Sequence, residues 1–133
     1  MRIAPHRTSP FPALLVEPNE ANAVELACRL QAAGFEIRIE GVAASALHAQ
    51  RQSFFFALIV IADLADQGCL VTLDALRQRS PRSWMIVATP NCDDHACNVI
   101  RRHGGDACLS LPVDLDDLIA RLDAFQLRAR PSF

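Results

Sequence analysis

The stretch FFFALIVIA, residues 54–62, is an unbroken apolar run that does not alternate with polar residues. Its aromatic and β-branched side chains favour an extended backbone. The nine residues are too few to cross a membrane as a helix, because such a helix needs about 20. A short continuous run of this kind is typical of a central strand that is buried on both faces, and it predicts a parallel sheet covered by helices on both sides.

Strand-like and helix-like segments alternate on either side of this run. Gly34 and Gly104 stand where the first and fourth helices should end, and Asp114 stands at the N-cap position of the last helix. The predicted strands are 13–17, 35–40, 54–62, 84–89 and 107–111, and the predicted helices are 19–33, 42–52, 69–79, 93–103 and 114–127. Five such units with right-handed crossovers predict an α/β fold, a (βα)5 doubly wound parallel five-stranded sheet in a flavodoxin-like three-layer sandwich.

Length and composition indicate one globular domain. The 133 residues suffice for a single core, and we assign residues 13–127 to that domain. Residues 1–12 are predicted to be an N-terminal tail, and residues 128–133 a C-terminal tail or the start of a linker, because neither segment is periodic. The net charge of −2 does not favour a direct nucleic-acid partner. Without a membrane-length apolar run or a signal-peptide core, we expect a cytoplasmic protein that does not contact the membrane.

Two residue types restrict the chemistry. All 13 basic residues are arginine, so no lysine is present to form a Schiff base or bind a phosphate. Neither a glycine-rich phosphate loop nor a nucleophile elbow occurs, and we therefore expect no enzymatic activity and no cofactor. The cysteine count is odd, which argues against a disulfide scaffold and predicts that most cysteines are reduced core residues. The cysteines are Cys28, Cys69, Cys92, Cys97 and Cys108.

Ligands of doubly wound sheets bind at the carboxyl ends of the strands. At the first and last strands of this chain those ends lie in LLVEPN, residues 14–19, and GGDACLSLPVD, residues 104–114. With the order of the elements and Thr89 at the end of the fourth strand, these motifs make residues 13–127 resemble a bacterial response-regulator receiver domain. The resemblance implies a role in two-component signal transduction.

The resemblance also implies a phosphorylation site, from which this sequence departs. The family needs two adjacent acids after strand one for Mg²⁺, an aspartate at the end of strand three, and a lysine before the proline of strand five. Here only Glu17 remains of the acidic pair, because Pro18 replaces its neighbour. Ile61 or Ala62, depending on the alignment, occupies the phosphoacceptor position, and Leu111 occupies the lysine position.

The losses at this pocket predict a pseudo-receiver. Thr89 is retained at the end of strand four, but Cys108 occupies the family's aromatic position in strand five. Removing three parts of the phosphorylation site together predicts a phosphorylation-independent module that binds protein. We expect no metal and no catalytic residue in it.

Two alternatives remain open. Asp63, with Glu17 and Mg²⁺, would give a phosphorylatable receiver if the central strand continued further, and Asp66 could add a second acid. The competing interpretation places Asp63 and Asp66 in an ordinary turn before the third helix. The second alternative is a small-ligand or redox-sensing module on the same fold.

Cys92 and Cys97, with His103 nearby in sequence, are residue types that can bind zinc, although their spacing matches no recognised zinc motif. We interpret the segment instead as a helix N-terminus that Asn91 or Asp93 caps, with Cys97 facing the sheet. A redox role for Cys92 is a further hypothesis, because a helix N-terminus lowers a thiol pKa.

Partner binding is predicted on the fourth helix, the fifth strand and the fifth helix, since receivers commonly use this face. Its candidate residues are Arg101, Arg102, Cys108, Asp116 and Asp123. The expected partner is a signalling protein or an attached output domain, and the same face would serve a homodimer. The competing interpretation is that the arginines only complement the helix dipole.

Overall fold

The computed structural model describes residues 11–128, in which five strands and five helices alternate along the chain. The strands are β1 Phe11–Val16, β2 Phe35–Glu40, β3 Ala57–Ile61, β4 Trp84–Thr89 and β5 Ala107–Ser110. The helices are α1 Glu20–Ala32, α2 Ala43–Gln52, α3 Gln67–Arg79, α4 Asp94–Arg102 and α5 Leu115–Gln126. All neighbouring strands are parallel, in the order β2-β1-β3-β4-β5, which confirms the predicted (βα)5 sheet.

Two hydrophobic layers enclose the sheet. One layer packs α1 and α5 against one face, and the other packs α2, α3 and α4 against the opposite face. Adjacent residues of β3 point into different layers, Ile59 into the first and Leu58 into the second. Both side chains are fully buried, as the unbroken apolar run of the central strand requires. No helix within residues 11–128 has the length and apolar character of a membrane span.

Local signals set most element ends. Gly34 and Gly104 adopt φ angles of 99° and 96°, which confirms both as glycine stops after helices. Asp114 caps α5, because its side chain accepts a hydrogen bond from the Asp117 backbone N–H at 3.2 Å. Asp93 caps α4 in the same way, with the Ala96 N–H at 2.8 Å.

Several predicted bounds differ from the structure. β1 begins at Phe11, inside the predicted tail, while residues 1–10 and 129–133 of the two predicted tails lie outside the described residues. β3 begins at Ala57 rather than at Phe54, whose side chain is exposed. α3 begins two residues early, at Gln67, because Asp66 caps it through the Gly68 N–H at 3.0 Å.

A polar network closes the amino-terminal edge of the sheet. The Arg77 guanidinium donates to the backbone carbonyls of Gly104 and Ser83, both at 2.6 Å, and pairs with Asp106 at 3.0 Å. The Asp106 carboxylate also accepts the Met85 N–H at 2.9 Å. This network joins α3 to the first residues of β4 and β5.

Candidate functional site

The carboxyl ends of β1, β3 and β5 meet in a cavity of about 360 Å³ whose lining includes Glu17, Ile61 and Leu111. An adjoining cavity of about 580 Å³ also includes Pro18 and Asp63. Parallel pairing of β1 with β3 brings these segments to one edge. The structure therefore collects the predicted pocket residues from distant parts of the sequence.

Glu17 is the buried acid of the pocket, with 8% of its surface exposed. Its backbone N–H extends the sheet by donating to the Glu40 carbonyl at 3.1 Å. Burial raises the pKa of the Glu17 carboxyl, and hydrogen bonds from the Asn22 side chain and the Asn19 backbone partly oppose that rise. Glu17 forms no ion pair within residues 11–128, and Arg29, which lines the same cavity, pairs with Glu25 instead.

The neighbour of Glu17 offers no second ligand. Pro18 has a hydrocarbon ring, and the following Asn19 uses its side-chain oxygen to cap α1 by accepting the Asn22 N–H at 3.0 Å. The segment after β1 therefore serves helix initiation, with one carboxylate instead of two.

Two aliphatic residues occupy the end of β3. Ile61 is the last strand residue and pairs with Ala88 of β4. Ala62 continues the ladder, because its N–H donates to the Ala88 carbonyl at 2.9 Å. Neither alignment of the phosphoacceptor position places a side-chain oxygen at the end of β3.

Asp63 and Asp66 lie in the turn that follows, and both are exposed. Asp63 accepts the Ala65 N–H at 2.9 Å, while Asp66 caps α3. Their carboxylates do not assemble with Glu17 into a cluster of candidate metal ligands, since the cluster of that kind within residues 11–128 consists of three cysteines. The turn geometry agrees with the interpretation that these acids organise the β3–α3 loop.

Thr89 and Leu111 complete the pocket. The Thr89 side chain is buried, and its Oγ1 accepts the Leu64 N–H at 3.2 Å. The Leu111 N–H donates to the Thr89 carbonyl at 3.0 Å, and the peptide bond between Leu111 and Pro112 is cis. Leu111 packs its side chain against the α1–α5 layer, where the family's lysine would bring a positive charge.

The residues of this pocket do not fit Mg²⁺. The ion prefers near-octahedral oxygen coordination and usually binds one or two carboxylates. Here Glu17 is the one pocket acid that is buried, with Ile61 and Leu111 beside it. Glu25 and Arg29 also line the cavity, but both are exposed and pair with each other at 3.1 Å. The cavity therefore offers one buried carboxylate and no buried cation among its lining residues, and we derive no phosphoryl transfer from it.

The predicted partner surface lies at the β5 edge of the sheet, flanked by α4 and α5. Arg101 and Arg102 are exposed and form no ion pair within residues 11–128. Asp116 is exposed, whereas Asp123 and Cys108 are half-buried. Asp123 directly follows Leu122, a buried residue of α5.

The prediction that most cysteines are reduced core residues is wrong. Cys69 alone among the five cysteines is buried, and burial, together with Asp66 and Asp63, raises the pKa of its thiol. Cys28 is exposed on α1. Cys92 and Cys108 form a disulfide, because β5 runs beside the end of β4, and Cys97 faces Cys92.

His103 does not join these cysteines. It lies at the opposite end of α4, where its Nδ1 pairs with Asp74 of α3 at 2.8 Å. The nine residues of α4 separate His103 from Cys92, so the zinc set considered from sequence is not formed.

No protein-family model and no curated protein matches the sequence. Solved structures do match its fold. A putative response regulator from Chloroflexus aurantiacus shares 22% identity with a TM-score of 0.79, over 90% of this chain and 100% of that one. The receiver domain of TorR, the response regulator of the TMAO respiratory system, shares 21% identity with a TM-score of 0.79, over 91% and 100%.

A third structure extends the comparison. The CheY-like response regulator receiver domain protein from Methanospirillum hungatei shares 22% identity with a TM-score of 0.77, over 90% of this chain and 98% of that one. This chain therefore has the fold of response-regulator receiver domains, as the resemblance implied. The residues of the pocket at the carboxyl ends of the strands depart from the phosphorylation site that the receiver resemblance implies.

Proposed function

We propose that this domain is a pseudo-receiver, a phosphorylation-independent module that binds protein in bacterial signal transduction. The observation that carries the proposal is a single cavity in which buried Glu17 lies beside Ile61 and Leu111. A carboxylate that accepts phosphate needs a metal and a cation to offset the added charge. This pocket offers aliphatic groups at those points, and the receiver fold remains intact around them.

Phosphorylation is tested directly with acetyl phosphate and Mg²⁺ on the purified chain. We expect no mass gain, whereas one phosphoryl group would add about 80 Da and up to two negative charges. The matched variant is Asp63→Asn, which leaves the turn shape in place and removes the one acid that directly follows Ala62. A mass gain in the wild type that disappears in Asp63→Asn would replace this proposal with a phosphorylatable receiver.

Metal binding is tested by thermal unfolding in millimolar Mg²⁺. A ligand that binds the native state raises its melting temperature in proportion to occupancy. We expect the same melting temperature with Mg²⁺ and with an equal ionic strength of NaCl. A saturable rise that is specific to Mg²⁺ would contradict the proposed loss of the metal site.

The proposed binding surface is the α4–β5–α5 face. Support comes from the position of β5 at the sheet edge and from the exposed pair Arg101 and Arg102. Guanidinium groups form bidentate contacts with carboxylates, which favours an acidic patch on a protein partner, including a second copy of this chain. Without a phosphate trigger, binding should not require a change of state.

The variant Arg101→Ala with Arg102→Ala tests this surface. We expect weaker self-association in sedimentation equilibrium, or weaker retention of a signalling partner, by roughly 30-fold, since a central arginine anchor contributes about 2 kcal/mol. The matched control is Arg29→Ala with Arg51→Ala, which removes the same charge from exposed positions on α1 and α2. If the control variant loses binding and the α4 variant keeps it, the binding surface lies on α1 and α2 instead.

A further inference from the structure

Three sulfur atoms meet near the carboxyl end of the sheet, outside the pocket described above. Cys92 follows β4, Cys97 lies in the second turn of α4, and Cys108 lies in β5. Their sulfurs all lie within 4.8 Å of one another. This is the one such group of cysteine, histidine or acidic side chains within residues 11–128.

The fold holds each sulfur in place. The Cys92 N–H donates to Ser110 Oγ at 3.1 Å, which ties the β4–α4 loop to the end of β5. The Asp93 cap fixes the start of α4 and thereby the position of Cys97. Cys108 is held by the pairing of β5 with β4, where it lies opposite Val87.

Cys92 occupies the centre of the group. It forms the disulfide with Cys108, and their Cα atoms are 6.3 Å apart, within the range of about 4.4–6.8 Å that disulfides span. The Cys97 sulfur lies 3.3 Å from the Cys92 sulfur. All three side chains are half-buried, so small oxidants and reductants have access to them.

We propose that Cys92, Cys97 and Cys108 form a redox-modification site that reacts with hydroperoxides. The Cys92 thiolate attacks one peroxide oxygen, the O–O bond breaks, and Cys92 sulfenic acid and hydroxide form. The Cys108 thiol then displaces the sulfenic oxygen, forming the Cys92–Cys108 bond and releasing water. In total two thiols lose two electrons and two protons, and one peroxide is reduced to two hydroxyl products.

The third thiol allows the bond to move. A Cys97 thiolate can attack the Cys92 sulfur, form a Cys92–Cys97 bond and release the Cys108 thiolate, with no net change in electrons. The 3.3 Å separation of these sulfurs makes Cys92 the shared partner in both disulfides. The remaining cysteines, Cys28 on α1 and buried Cys69, lie outside the group and provide internal controls.

The site differs from a zinc centre. Structural zinc normally takes four protein ligands, and within residues 11–128 no histidine or acidic side chain joins the three sulfurs. The Cys92–Cys108 bond also occupies two of the three sulfurs that a metal would need. Disulfide chemistry is therefore the use that the geometry favours, and metal binding is an outcome that the test can detect.

The test uses the full chain, reduced and then exposed to one equivalent of hydrogen peroxide. We expect the titratable thiols to fall from five to three and the mass to fall by about 2 Da, the loss expected for one disulfide. Peptide mapping should find Cys92 joined to Cys108, with a fraction joined to Cys97. Dithiothreitol should restore all five thiols.

Single variants separate this site from unspecific oxidation. Cys97→Ser and Cys108→Ser should each still form one intramolecular disulfide, through the remaining partner of Cys92. Cys92→Ser should form an intramolecular disulfide at least about tenfold more slowly than the wild type, because the variant lacks the sulfur that both disulfides share. Cys28→Ser should behave as the wild type.

Three results would overturn the proposal. They are a thiol count that stays at five after peroxide, a disulfide that requires Cys28 or Cys69, and one zinc ion bound by the reduced protein that protects all three thiols from peroxide. Because none of these measurements involves a partner or phosphate, the result stands apart from that of the proposed function.

Discussion

Buried acids at the two ends of the strands differ in how their charge is compensated. At the amino end, Asp106 has the Arg77 guanidinium at 3.0 Å and the Met85 N–H at 2.9 Å, so its charge is compensated twice. At the carboxyl end, Glu17 is more deeply buried and has Leu111 where the receiver resemblance implies a lysine. The first arrangement compensates a buried charge, whereas the second leaves the Glu17 carboxylate with a desolvation cost that raises its pKa.

This difference shows that the fold does not depend on the carboxyl-end pocket for its buried ion pair. The Arg77 network joins three elements through backbone carbonyls, so it depends on architecture that any working partner surface would also need. The pocket at the carboxyl ends of the strands is the place where the receiver resemblance implies phosphoryl chemistry. In this chain Ile61 and Leu111 pack against the apolar layer below the pocket.

The largest effect is expected from Arg77→Ala. The substitution leaves Asp106 half-buried without its cation and frees the carbonyls of Gly104 and Ser83. Breaking one side of a buried pair costs about 3 kcal/mol or more, although partial exposure places this pair near the lower limit. Urea unfolding should therefore show a clear loss in the free energy of unfolding.

The control for that experiment is Arg29→Ala. Arg29 pairs with Glu25 at 3.1 Å on the exposed side of α1, and such pairs contribute about 0.3–0.5 kcal/mol. If the two variants lose equal stability, the Arg77 network contributes no more to the free energy of unfolding than an exposed ion pair does.

Sequence patterns predicted the elements better than the contacts between them. β4 was predicted at its observed bounds, Trp84–Thr89, which enclose the short run WMIVAT. The start of β3 was wrong, since an apolar run cannot reveal where pairing begins, and Phe54 continues the run while lying exposed outside the strand.

The stabilising residues and site residues that sequence reasoning missed depend on tertiary position. Arg77 looks like any basic residue in the last turn of a helix, and Asn22 like a polar residue on an exposed helix face. Cys92 and Cys108 are 16 residues apart and meet only because β5 pairs with β4. Predicting this contact requires the strand order of the sheet, which hydrophobic periodicity alone does not give.

A smaller loss of stability is expected from Leu111→Lys, which restores the charge that the resemblance implies. The ammonium would enter a half-buried position with Glu17 as the buried acid of the same cavity. Desolvation and lost packing should exceed the gain from a partial ion pair, at a net cost of about 1–2 kcal/mol. We also expect no phosphorylation by acetyl phosphate, because Ile61 and Ala62 are unchanged.

Leu111→Met is the matched control, since it keeps the apolar volume and should cost under about 1.5 kcal/mol. A Leu111→Lys variant more stable than the wild type at neutral pH would mean that Glu17 is ionised and accessible to a cation. In that case the two ends of the sheet differ less than the structure indicates.

The smallest effect is expected from Glu17→Gln, and it depends on pH. Burial raises the pKa of Glu17 in the folded state above its ordinary value of 4.5. Between the ordinary and the raised pKa the folded state binds more protons than the unfolded state, so the free energy of unfolding falls as pH rises through that window. The stability penalty of burying the ionised Glu17 is absent below the ordinary pKa and complete above the raised pKa.

Glutamine cannot ionise, so the variant should match the wild type near pH 4 and exceed its stability at pH 7.5. Urea unfolding across this range measures the difference, with Glu36→Gln on the exposed side of β2 as the control for charge alone. A variant less stable than the wild type at pH 7.5 would indicate that the Glu17 carboxylate is stabilised, by a cation or by its hydrogen bonds from Asn22 and Asn19, by more than its burial costs. The contrast between the two ends of the sheet would then fail.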